Sequence, residues 1–244
     1  MTLSLRKAVT FTFFFLASSG AAQANDELEL ECLLEPHMTV KIGTPVPGAL
    51  AQVLVDRGQV VSKGQVVATL DTRVQTAAVE LARARVEYTD RRMSRNEDLY
   101  LNELVSVQQK DEMETDAQLA RLELLEREKQ VEIRMITSPI DGVVVDRIKG
   151  PGEYVQESEI LELAQIDPLN VEVVVPVRYF GQITPGMTAE IRPEAPLDGV
   201  RTAQVKIVDK VIDAASGTFG VRLEIPNRDM AVPAGLRCSA LFKF

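Results

Sequence analysis

The chain reads as an elongated α+β protein in which a β-sandwich is split by an antiparallel α-helical hairpin and followed by a small antiparallel β-barrel. Three observations lead there. A glycine-marked, strand-forming motif is written twice: Gly48 and Gly58 recur as Gly142 and Gly152, both pairs 94 residues apart (142 − 48 and 152 − 58). Between Gly64 and Pro139 there is neither glycine nor proline over 74 residues, and missing both helix breakers for that long predicts continuous helix. After Asp167-Pro168 the text changes again, to β-branched runs separated by turn signals at Pro185-Gly186, Asp198-Gly199, Ser216-Gly217 and Ala234-Gly235, the spacing of a small barrel. Aromatic residues make up only 5% and Trp is absent, a composition that suits thin modules better than one thick core.

Residues 1–24 are a different kind of text. Arg6 and Lys7 precede the apolar run AVTFTFFFLA, and small residues follow up to Ala22-Gln23-Ala24. This is the layout of a secretory signal peptide with cleavage after Ala24. The ten-residue run is short of the roughly 20 residues that cross a bilayer as a helix. An uncleaved inner-membrane anchor is the alternative. Cys32, in ELEC, lacks the preceding small residues of a lipid-attachment site.

Loss of Arg6 and Lys7 with the signal takes the net charge from −9 to −11, with 25 basic residues against 36 acidic ones. So acidic a chain is no partner for nucleic acid. Cys32 and Cys238 would meet an oxidising compartment after export, either bridged or as two separate buried thiols. One histidine, His37, and no Cys-x-x-Cys leave no convincing zinc or copper site.

Residues 43–71 form the first half-motif, with strands in ALAQVLVDRG and QVVATL. Residues 72–136 form the hairpin. Ser106 followed by Gln109 is a capping box, so residues 101–105 make the turn, Asn102 taking an irregular backbone angle. Each helix has about 30 residues and is about 45 Å long. Val79, Val86, Met93 and Tyr100 recur in heptads on the first helix, and Leu119, Leu122, Leu125, Ile133 and Ile136 mark the second. These narrow stripes predict two helices burying a seam against each other, the alternative being a helical layer on a larger core.

Residues 137–165 carry the second half-motif, with strands in GVVVDRI and EILELA, and residues 166–244 the barrel, with strands in LNVEVVVPV, MTAEIRP, AQVKIVDKVID, FGVRLEIP and LRCSALFKF. A two-stranded piece is marginal in water, so the two half-motifs are expected to pair about a pseudo-twofold axis. An antiparallel hairpin is a natural insert because it leaves and returns at nearly the same place.

GALAQVLVDRGQVVSKGQVVATLD, the return through TSPIDGVVVDRIKGPGEYV and the tail VIDAASGTFGVRLEIPNRDMAVPAGLRC resemble the periplasmic adaptors, or membrane fusion proteins, of the haemolysin-D-like superfamily, in the variant serving resistance-nodulation-division efflux pumps. The resemblance runs over about residues 38–240. It implies that the split sandwich is a lipoyl-like domain, and that the chain is a non-enzymatic, cofactor-free periplasmic adaptor associated with the inner membrane. It further implies a ring-forming homo-oligomer that links an inner-membrane transporter to an outer-membrane channel in a tripartite pump. Family hairpins often carry R-x3-L-x6-S beside the turn, matched here by Arg95, Leu99 and Ser106, which implies contact with the channel. Without the resemblance, Ser106 reads as a cap and Arg95 as a solvated charge. The fourth, membrane-proximal domain of many members is expected to be missing or reduced to residues 25–42, a strand packing near the barrel and the C-terminus. A Cys32–Cys238 bridge would tie those ends together.

Other functions fit less well. A lipoyl or biotinyl carrier needs a modifiable lysine in a short turn between its halves, whereas Lys63 and Lys149 sit in ordinary turns and a long helical insert separates the halves. An enzyme lacks a carboxylate placed with a His or Cys. A metal-delivering adaptor using His37 and Met38, and an adaptor of an ABC-type exporter, are the remaining alternatives.

Overall fold

A computed structural model describes residues 27–102, 104 and 106–244. The expected signal segment lies outside the described residues. The strands are β1 (Glu27–Gly43), β2 (Gly48–Val53), β3 (Val60–Val61), β4 (Val66–Leu70), β5 (Met135–Thr137), β6 (Gly142–Arg147), β7 (Tyr154–Val155), β8 (Glu159–Pro176), β9 (Thr188–Pro193), β10 (Arg201–Val208), β11 (Thr218–Ile225) and β12 (Arg237–Lys243). The two long helices are α1 (Arg73–Leu101) and α2 (Val107–Glu132).

Six antiparallel strands close a barrel in the order β1-β12-β9-β10-β11-β8, with β8 pairing back to β1. Closure removes the open edges that invite unwanted pairing. Alternation of side chains in a strand sends Phe219, Val221, Leu223 and Ile225 of β11 and Leu169, Val171, Val173 and Val175 of β8 into one core. Cys32 and Cys238 stand directly opposite each other on β1 and β12, with Cα atoms 4.8 Å apart, and are disulfide-bonded.

EILELA and LNVEVVVPV read as two strands, but the chain runs through both as the single 18-residue β8. The reason lies 60 residues away: the Asn227 backbone N–H donates to Asp167 Oδ1 (2.8 Å) and its side-chain amide donates to Ile166 O (2.9 Å). Ile166 and Asp167 are thereby held against the segment that follows β11. AQVKIVDKVID departs from expectation the other way. β10 stops at Val208, and Val211 and Ile212 are exposed beyond it.

The second β body is woven from both motif copies. β2 pairs with β7 and β3 with β6, so each pairing joins a strand before the helices to one after them. Gly58 N–H donates to Val144 O (2.8 Å) and Gly152 N–H to Leu50 O (2.7 Å); Val144 N–H donates to Gln59 O (2.9 Å) and Leu50 N–H to Glu153 O (2.8 Å). A shift of 94 residues converts one member of each couple into the other. The loops repeat as well: Gln59 Oε1 accepts from Asp56 N–H and Glu153 Oε1 from Gly150 N–H, while the Thr44 and Ser138 hydroxyls donate to the carbonyls of Val46 and Ile140. Leu50, Val61, Val67 and Leu70 from one copy share a core with Val144, Val155, Leu161 and Leu163 from the other.

Between these copies α1 and α2 lie against each other. Val79, Ala82 and Thr89 of α1 and Met113, Ala117 and Ala120 of α2 are buried, and the buried Thr89 hydroxyl donates to Val86 O (2.9 Å). The stripe expected on the second helix is not the seam. Leu119, Leu122, Leu125 and Ile133 are exposed, and Ile136 belongs to β5 and the β core. Ala82, Ala117 and Ala120 occupy the contact, and the broader leucines of α2 face outward. Among the described side chains, ion pairs cross between the helices at Arg83–Glu128 (3.6 Å), Arg85–Glu123 (3.2 Å), Arg92–Asp116 (3.4 Å) and Arg121–Asp90 (2.6 Å). All are exposed, so each contributes at most about 1 kcal/mol.

Gly142 marks the tightest approach between strands. A Cβ there would lie 2.3 Å from Ala164 O. Gly142→Ala is therefore expected to cost about 2 kcal/mol in urea unfolding, whereas Gly150→Ala, whose Cβ meets only the Glu153 carboxylate at 3.7 Å, should stay within about 0.5 kcal/mol of the parent. Equal midpoints for the two variants would contradict the close β6–β8 contact.

Candidate functional site

The tip of the hairpin is built by a helix end, a short turn and a helix start. Four N–H groups at the start of any helix lack partners inside it, and Ser106 meets that need for α2. Its backbone is extended (φ −74°, ψ 157°), its Oγ accepts from Gln109 N–H (3.3 Å), and Gln109 Oε1 accepts from Ser106 N–H (3.1 Å). This reciprocal box fixes where α2 begins, and Ser106 remains exposed.

Arg95 and Leu99 stand four residues apart on the last turns of α1, on one face and about 6 Å apart along the axis. Both are exposed. Of the six arginines of α1, Arg73, Arg83, Arg85, Arg91 and Arg92 each pair with a carboxylate. Among the described side chains Arg95 has none. The tip thus places this guanidinium beside an uncovered leucine.

The sequence did not reveal what lies just below. A cleft of about 410 Å³ is lined by Met93, Tyr100, Lys110 and Met113 together with Asp90 and Arg121, and the Lys110 ammonium sits 4.3 Å above the Tyr100 ring. The heptad placed Met93 and Tyr100 on the inner side, but their pairing with Lys110 depends on the register between helices, which spacing along one helix does not encode. Two further apolar surfaces escaped notice. One is the Leu119, Leu122 and Leu125 row on the outside of α2. The other is at one barrel end, where Val177, Phe180, Val211 and Ile212 are exposed and Val177 N–H donates to Gly217 O (2.9 Å). The exposed pair Val-Ile after Lys210 was the available signal.

At the root of the hairpin, Arg73 forks onto Asp71 (2.6 Å from Nη2 to Oδ2). The hydrogen bonds from Arg73 hold the Asp71 carboxyl at about 2, well below its ordinary value. Among the described residues, no group of three or more His, Cys, Asp or Glu is placed to hold a metal ion, and no helix is long and apolar enough to cross a membrane.

A family model described as a CzcB-like barrel-sandwich hybrid domain matches residues 38–165, and one described as a CusB-like β-barrel domain matches residues 169–243. An uncharacterized protein of Haemophilus influenzae is 26% identical over 200 residues, covering 81% of this chain and 52% of that protein. The chain therefore spans about half the length of this relative. Among solved structures, the MacA-MexA chimeric protein containing the Pseudomonas aeruginosa MexA α-hairpin domain superposes with a TM-score of 0.74 at 20% identity, covering 90% of this chain and 82% of that one. MacA from Actinobacillus actinomycetemcomitans gives 0.65 at 18% identity, with 90% and 78% covered. ZneB from Cupriavidus metallidurans gives 0.53 at 21% identity, with 88% and 97% covered. At these identities the likeness is one of fold.

Replacing Ser106 by Ala removes the cap acceptor and is expected to destabilise the start of α2 by about 1 kcal/mol, read as faster amide exchange at Gln109 with the β bodies unaffected. Unchanged exchange there would leave Ser106 without the capping role.

Proposed function

Because the chain belongs to the membrane fusion protein family defined by a CzcB-like barrel-sandwich hybrid domain followed by a CusB-like β-barrel domain, we propose that it is the non-enzymatic periplasmic adaptor of a tripartite export pump. Residues 1–24 direct export. Residues 43–71 and 137–165 are the halves of a lipoyl-like domain, residues 72–136 reach toward the outer membrane, and residues 166–244, with β1, face an inner-membrane transporter. Energy for transport comes from that transporter.

The observation that carries this reading is the hairpin tip, where Leu99 is uncovered and Arg95 has no carboxylate among the described side chains, while every other arginine of α1 is paired. We assign Arg95, Leu99 and Ser106 to the contact with the outer-membrane channel. The Arg95 fork suits a carboxylate or carbonyl at the channel end, and Leu99 adds apolar area beside it. Ser106 sets the turn that presents both.

Two surfaces support the rest. The exposed Leu119, Leu122 and Leu125 row suits packing against the hairpin of a neighbouring copy in a ring, where modest contacts repeated around the circle give firm assembly. The apolar barrel end at Val177, Phe180, Val211 and Ile212 suits docking on the transporter. The Cys32–Cys238 bridge pins the first strand to the last at the barrel seam, so the gripping body resists opening under load.

Arg95→Asp and Leu99→Asp are each expected to lower pump-dependent export at least tenfold, with circular dichroism and periplasmic abundance unchanged. A photo-crosslinker at position 99 should capture an outer-membrane protein. Export at the parental rate in both variants would retire the tip assignment.

A further inference from the structure

The seam between α1 and α2 changes character toward the tip. Lower down it holds Ala82, Ala117 and Ala120, all buried. Nearer the turn, Met93, Glu97 and Tyr100 recur at helical spacing on α1 and, with Lys110, Met113 and Glu114 of α2, line the cleft of about 410 Å³. That volume falls in the range of small-molecule sites, roughly 300–1,000 Å³. The Arg121–Asp90 ion pair (2.6 Å) lines the end nearer the root.

Three features of the lining select a ligand. Met93 and Met113 supply polarizable thioethers that adapt to the edge and face of a flat ring. The Tyr100 ring offers an aromatic face that attracts positive charge, and the Lys110 ammonium occupies it, 4.3 Å from the ring centre. The charges do not balance: Asp90, Glu97 and Glu114 stand against Lys110 and Arg121, which leaves one negative charge (3 − 2). Among the described side chains Asp90 pairs with Arg121 and Glu114 with Lys110 (3.7 Å), and Glu97 is the carboxylate left over. A quaternary aliphatic ammonium requires a cage of several aromatic rings. Here Tyr100 is the one aromatic residue among the described lining residues, so a flat ring that can stack on it fits better.

We propose that this cleft binds a planar aromatic monocation. The ring stacks on Tyr100 between the two methionines, and its charge takes the place of Lys110 over the aromatic face, toward Glu97. Lys110, on a flexible four-carbon stem, keeps Glu114. Binding is thus an exchange of cations on one ring, and Lys110 opposes it. This inference concerns the isolated chain and stands whether or not the tip meets a channel.

Fluorescence titration of the full chain, purified from the cell envelope and freed of nucleic acid, with ethidium tests it, phenanthridine serving as the uncharged ring of similar shape. Ethidium should saturate a single site per chain, and an equal concentration of phenanthridine should fail to displace it. Tyr100→Ala, which leaves the charge unchanged, should weaken ethidium binding about tenfold, and Tyr100→Phe should retain it. Glu97→Gln should weaken it about threefold, whereas Lys110→Gln, which removes the resident cation, should tighten it about threefold. Leu125→Ala, on the outside of α2, should match the parent. Absence of saturable binding, parental affinity in Tyr100→Ala, weaker binding in Lys110→Gln, or displacement of ethidium by phenanthridine overturns the proposal.

Discussion

Two backbone amides, those of Gly58 and Gly152, donate across to the carbonyls of Val144 and Leu50, and the rest of the architecture depends on that exchange. Neither motif copy is complete in itself. Among the described residues β3 pairs with β6 alone and β7 with β2 alone, and each copy contributes to one apolar core. Everything between the copies must therefore leave and return at adjacent points. The Leu70 N–H donating to Arg134 O (3.0 Å) closes that root. An antiparallel helix pair meets this requirement with little loop-closure cost, because its ends are held together by its own packing. The glycines belong to the same constraint. Gly58 and Gly152 hold φ of +83° and +87°, a backbone region that glycine enters without penalty, and Gly142 has no room for a Cβ.

The barrel answers a different problem with a related device. Its six strands close on themselves, but β1 and β8 do not stop at the barrel wall. They continue into the second body and serve two cores. Continuity fixes the relative placement of the two bodies more firmly than a flexible linker does, and the register slip around His37 is the one point on β1 where the shared ladder is interrupted before Ile42.

Much of this was legible in the residues. The missing glycine and proline marked the helices, and repetition of GALAQVLVDRG as GVVVDRIKGPG located the two copies, because backbone punctuation is a local property. What was hidden depends on partners distant in sequence. Hydrophobicity favoured Leu119, Leu122 and Leu125 for the seam, yet close helix packing selected Ala117 and Ala120, and no reading of one helix gives the separation of two. Asp167-Pro168 looked like a boundary because the Asn227 contacts that hold Ile166 and Asp167 come from 60 residues away. At the tip, Arg95, Leu99 and Ser106 could be placed from the motif, but that Arg92 finds Asp116 follows only from the register of α1 on α2.

The proposed adaptor function rests on this economy: a closed barrel, a second body built from both sides of its insertion, and a hairpin whose end carries an arginine with no carboxylate among the described side chains. The interlocking of the two copies is tested most directly by replacing residues 77–133 with a short Gly-Ser linker and following the amides of Gly58 and Gly152. If each copy completes the other, both amides stay protected and lose protection together in one cooperative transition. Free exchange at either glycine in a soluble product whose barrel remains folded would contradict the account.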